Sequence, residues 1–132
     1  MEWEDILLIF LGTIIVVGYG YSMDMPQALE LPLRGEPYNL NSIEFNILYF
    51  ATYLPILITD LPLGVILDKF PLQKTVVVIA LSSFIAELLT AVLFDFRPEG
   101  YIYIVYALRA IVGMAGSSAF TMQGFIMARY AA

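Results

Sequence analysis

The chain has 132 residues, 61% hydrophobic and only 14% charged, with a formal charge of −6; a soluble domain usually carries about 25% charged residues, so the composition is that of a membrane protein. Cysteine and histidine are both absent, which excludes disulfides, thiolate metal sites and the usual general base. The acidic balance argues against nucleic acid or an anionic lipid surface as a main partner.

Four apolar segments follow one another: Ile6 to Met23, Phe45 to Leu67, Thr75 to Phe94, and Tyr101 to Ala128. A membrane helix needs about 20 apolar residues to cross about 30 Å of hydrocarbon. These segments are apolar nearly all round, where the helices of a soluble bundle would each show a polar face. The expected fold is therefore an all-α membrane protein of four transmembrane helices, with residues 1–132 in a single membrane domain. The opening "MEWED" is acidic where a signal peptide is basic, so the first segment reads as a retained helix.

The first connection, Asp24 to Glu44, is acidic and rich in proline and glycine. It predicts a solvent-exposed loop, with Asn41 or Ser42 capping the second helix. Pro55 and Pro62 predict a kink within that helix. The next connection, "DKFPLQK", is net positive, and "DFRPEG" is net negative. Lys69, Lys74 and Arg129 fall on one side of the membrane, Arg34 and Arg97 on the other. The more basic side is normally cytoplasmic, which puts the N-terminus in the cytosol and Tyr19, Tyr21, Tyr38, Tyr101 and Tyr103 in an aromatic belt opposite. The stop at "ARYAA", directly after the fourth segment, predicts a partial chain.

Charges inside the apolar segments are the candidate functional residues. Asp60, Glu87 and Arg109 each lie within one. A charged side chain at a helix centre costs roughly 2.5–3.5 kcal/mol on insertion scales, so each needs a polar cavity or a partner. The two acids can carry protons, pair with Arg109, or contact a neighbouring subunit. Arg109, Gly113 and Ser117 recur every four residues on one face, as do Asp60, Gly64 and Asp68. Asp60 lies about 12 Å deeper than Asp68. Arg109 either faces a solute or holds the bundle together by pairing with an acid such as Glu87.

Four stretches carry a resemblance. "GVILDKFPLQK" resembles the loop between helices two and three of the major facilitator superfamily, G-x-x-x-D-(K/R)-x-G-x-(K/R)-(K/R). Gly64, Asp68 and Lys69 match, Lys74 falls near the distal basic position, and the middle glycine is missing. "ALRAIVGMAGSS" places Arg109 four residues before Gly113, as in the family's fourth helix, with Val112 where the family has glutamine. "YGYSMDMPQAL", with Asp24, Pro26, Ala28 and Leu29, and then Leu48, Tyr49 and Pro55, is similar to the lysosomal dipeptide transporter branch, although Ser117 stands where that branch has glutamate.

The resemblance implies the first four helices of a secondary transporter that moves a small solute, dipeptides in that branch, by alternating access in a lysosomal or other endomembrane. It implies a cytoplasmic gate of Gly64, Asp68, Lys69 and Lys74, and a solute path touching Arg109, Asp24, Tyr21 and Gln123. The alternative for the basic loop is that it only fixes topology. The alternative for the whole chain is a transporter-derived structural subunit that carries nothing. Expected partners are membrane lipid, a small solute, and the remaining helices or neighbouring subunits. No cofactor is expected. An enzyme fits least, since the chain has no phosphate loop and no nucleophile elbow.

Overall fold

A computed structural model of the protein describes residues 3–130, without the side chains of residues 67, 68, 72, 73, 129 and 130. In chain order it has α1 (Trp3–Ala28), α2 (Glu30–Arg34), α3 (Ser42–Lys69), α4 (Leu72–Phe96) and α5 (Tyr101–Tyr130), with no strand among the described residues. The four long helices have the length and apolarity of membrane spans. The expected all-α, four-span fold is what the sequence forms.

α5 is the hub, and α1, α3 and α4 pack mainly on it. More than half of its span is buried, against under a fifth for each of the others. The reason is in its composition. Between membrane helices there is little hydrophobic drive, so association rests on close packing of small residues and on hydrogen bonds. α5 offers Gly113, Ala115, Gly116, Ser117, Ser118 and Ala119 in one run, most of them buried. A Cβ at Gly113 would collide with the Thr52 carbonyl of α3, its carbon lying 2.8 Å away. Glycine is thus what lets α3 and α5 touch backbone to backbone. The outward faces of α3 and α4, with Leu57, Ile58, Leu61, Val78 and Phe84, are exposed and apolar, as a lipid-facing surface requires.

The first connection departs from the expected loop. α1 runs on through Asp24 and Pro26 to Ala28, and α2 forms inside the stretch. Leu33 and Leu40 are buried with Phe45, Leu48 and Val105 in a cluster at the α2 end of the bundle. Tyr38 meets Phe94 edge-on at 5.5 Å, and Phe94 meets Tyr101 at 5.7 Å. Arg97, in the left-handed region at the end of α4, sets its guanidinium 5.3 Å from the Tyr38 ring centroid and donates to the Pro37 carbonyl at 3.1 Å. Leucine and aromatic side chains therefore fold the connection back onto the helices, which its polar composition hid.

α3 begins at a full capping box. The Asn41 side chain accepts from the Glu44 amide at 2.8 Å, and the Glu44 carboxylate accepts from the Asn41 amide at 2.9 Å. The helix continues through Pro55 and Pro62 as one element. Tyr19 leaves the expected aromatic belt: it is buried against Ala115 and Ala119, and its hydroxyl donates to the Ile79 carbonyl of α4 at 3.2 Å.

Candidate functional site

The intramembrane polar residues gather at two places along α5. The first centres on Arg109, whose side chain is 3% exposed. Its Nη1 donates to Glu87 of α4 at 2.9 Å, and its Nη2 to the backbone carbonyl of Ser22 at 3.1 Å. The Ser22 hydroxyl also donates to Glu87. Three helices are tied at one depth. The local cause sits in α1: Pro26 has no N–H, so the carbonyl four residues earlier, Ser22, loses its helical donor and is free for the arginine. The Arg109 Nε–H is buried without an acceptor.

The second place is a groove of about 360 Å³ between α1 and α3, floored by α5. α1 and α3 barely meet, because both rest on α5. Asp24 on one wall accepts from the Tyr53 hydroxyl of the other at 3.1 Å. Seven residues beyond Tyr53, about two turns along α3, Asp60 accepts from the Ser117 hydroxyl of α5. Both carboxylates are exposed. Each faces a space that further protein or water must fill, because an open apolar bilayer would be costly there.

The predicted stripes split between these places. Arg109 faces α1 and α4, Gly113 faces Thr52, and Ser117 faces Asp60. Each step of four residues overshoots one turn by about 40°, so the row winds around α5. Glu87 joins Arg109, and Asp60 does not. Asp24 lines the groove, while Arg109 lines a separate cavity between α1, α4 and α5. Tyr21 is 74% exposed and lines neither. Gln123 lies 14 residues beyond Arg109, about 21 Å along the helix. Its amide donates to the Thr13 hydroxyl at 3.0 Å.

In the proposed gate stretch, Gly64 and Lys69 lie in the last turns of α3 and Lys74 in the first turn of α4, all exposed. The Asp68 side chain lies outside the described residues. Among the described residues, nothing comes within 4 Å of where a Cβ on Gly64 would stand, so its close-approach role has no partner among them. Sequence reading missed Ser22 and Tyr53 altogether. For Ser22 a signal existed: a proline four residues downstream in an apolar helix. No group of three acidic, histidine or cysteine side chains among the described residues could hold a metal ion.

Comparison with known proteins returns no matching family, no matching curated relative and no matching solved structure.

Proposed function

We propose that these helices form part of a secondary transporter of the major facilitator type, moving a small solute by alternating access. The α1–α3 groove carries the reading. It lines one open groove, between helices long and apolar enough to span a membrane, with Asp24, Tyr53, Asp60 and Ser117, where a solute's ammonium group would find carboxylates and its polar ends hydroxyls. Dipeptides, the solute implied by the sequence resemblance, suit such a lining. Lys69 and Lys74 would close the far end of the groove.

The test is uptake of a labelled dipeptide into vesicles containing the protein as it occurs in its native membrane. Asp24→Asn and Asp60→Asn should each cut uptake about tenfold or more, the worth of one charge-assisted hydrogen bond, with melting unchanged. Unaltered uptake in both variants would sink the groove as the solute path.

A second reading has its own observation. Arg109 is engaged inside the chain by Glu87 and Ser22, as a brace in a structural subunit would be. In that case the native protein takes up nothing, and the groove faces a neighbouring chain. With no native cysteine, Asp60→Cys would then form a specific crosslink to that neighbour.

A further inference from the structure

The rows of residues that wall the groove continue beyond it. On α3, Asn46, Tyr49, Tyr53, Ile56 and Asp60 follow one another in alternating steps of three and four residues, and on α1 so do Gly20, Asp24 and Gln27. Such steps keep each row on one face of its helix. Gly20, Ile56 and Asp60 line the groove. Gln27, Asn46 and Tyr49 line a second pocket of about 510 Å³, together with Glu30 and Arg34 of α2. The two spaces therefore lie end to end along the α1–α3 seam, the more polar one nearer α2. From Asn46 to Asp60 the seam runs about 21 Å. Between the two spaces the Tyr53 hydroxyl donates to Asp24 at 3.1 Å. The Tyr53 ring stacks on Tyr49, with centroids 6.2 Å apart and planes 4° from parallel.

We infer that Tyr53 is a selectivity residue of the solute path: its hydroxyl bars the seam by holding Asp24, and a solute's ammonium group opens it by taking that place. The inference deepens the transport reading and rests on it. The Tyr53–Asp24 bond carries charge on one partner only. An ammonium group brings charge to both partners and has three donors, so it is the stronger ligand for the carboxylate. A neutral hydroxyl or amide of a solute gains nothing over the phenol it would replace. Tyr53 is 41% exposed, so its displaced hydroxyl has room to swing away from Asp24. The ammonium, once past the bar, meets the second carboxylate, Asp60, about 10 Å farther along the groove. The ring stack on Tyr49 returns Tyr53 to its closed position after the solute has passed.

Access along the seam can be read without measuring transport. These residues hold no native cysteine, so a thiol can be placed on either side of the bar: Asn46→Cys in the outer pocket, Thr121→Cys on the groove floor. The protein as it occurs in its native membrane is treated in vesicles with a membrane-impermeant, sulfonate-bearing thiosulfonate, applied to the side from which Asn46→Cys labels. Adding Tyr53→Phe, which removes only the hydroxyl, should raise the labelling rate at Thr121→Cys about tenfold, the worth of one hydrogen bond to a charged group. The rate at Asn46→Cys should stay the same. With Tyr53 in place, methylammonium chloride should raise the Thr121→Cys rate and sodium chloride at equal concentration should not; with Tyr53→Phe neither salt should change it. If Tyr53→Phe fails to fold, the two salts on the Tyr53 protein decide alone. An unchanged rate at Thr121→Cys, an equal rise at both cysteines, or equal effects of the two salts would each overturn the gate. The transport reading fails separately, on unaltered uptake in Asp24→Asn and Asp60→Asn, whatever the labelling shows.

Discussion

Arg109 donates to the backbone carbonyl of Ser22 at 3.1 Å, and that carbonyl is the one Pro26 leaves without a helical donor. A proline in α1 thereby prepares an acceptor for a buried arginine of α5. The two features should be energetically coupled. Pro26→Ala restores an N–H for Ser22, so the loss caused by Arg109→Lys should shrink in its presence. A double-mutant cycle on melting in detergent should give a coupling of about 0.5–1 kcal/mol; none would mean that the freed carbonyl has no bearing on the arginine.

The Arg109–Glu87 pair is buried enough that removing one partner strands a charge. Glu87→Gln or Arg109→Gln alone should cost about 3–5 kcal/mol in stability. The double substitution, which leaves two neutral amides, should recover a large part. Equilibrium unfolding of the three variants in mixed micelles measures this. A double variant no better than the singles would show that hydrogen-bond geometry, rather than charge balance, dominates.

Gly113 and Gly64 make opposite predictions. Gly113→Ala drives a methyl group into the Thr52 backbone, which cannot rotate away, so α3 and α5 must separate. We expect a loss of about 2 kcal/mol or more, in the range of an overpacked core. Gly64→Ala meets none of the described residues within 4 Å and gains helix propensity, so it should be neutral or stabilising by up to about 1 kcal/mol. Melting of the two variants side by side is the check, and equal losses would contradict the close approach at Thr52.

At the α2 end, Arg97 holds the first connection through Pro37 and Tyr38. Arg97→Ala should lower overall stability by no more than about 1 kcal/mol, as expected for a partly exposed cation–π contact. Its main effect should be local. Amide exchange at Tyr38 and Leu40, whose N–H groups bond Gly35 and Leu33, should accelerate, while α5 amides stay protected. Exchange unchanged at both amides would show that the leucine cluster alone pins the connection.

The sequence by itself determined the four spans. Apolar runs of about 20 residues leave the backbone no option in a bilayer but helix. The expected boundaries at 6–23, 45–67, 75–94 and 101–128 sit inside the observed helices. Three of the four observed helices start earlier, and all four run on at the C-terminal end. Many of those end residues, such as Asp24, Pro26, Gln27, Glu44, Lys69 and Asp95, are charged, polar or proline and weaken the hydropathy signal, yet the helix continues through them. Asn41 was legible as a cap for the same local reason: it needs only its neighbour Glu44.

The tertiary structure alone decided what the polar residues do. One arginine and the two acids Asp60 and Glu87 stand in apolar segments, and sequence spacing left the pairing open. Packing around α5 gave Arg109 to Glu87 and Ser22, and left Asp60 to Ser117 in another cavity. Helical periodicity fixes which residues share a face of one helix, but which neighbour that face meets depends on how closely the helices approach. Here that distance is set by Gly113 against the backbone of Thr52, a contact between residues 61 positions apart.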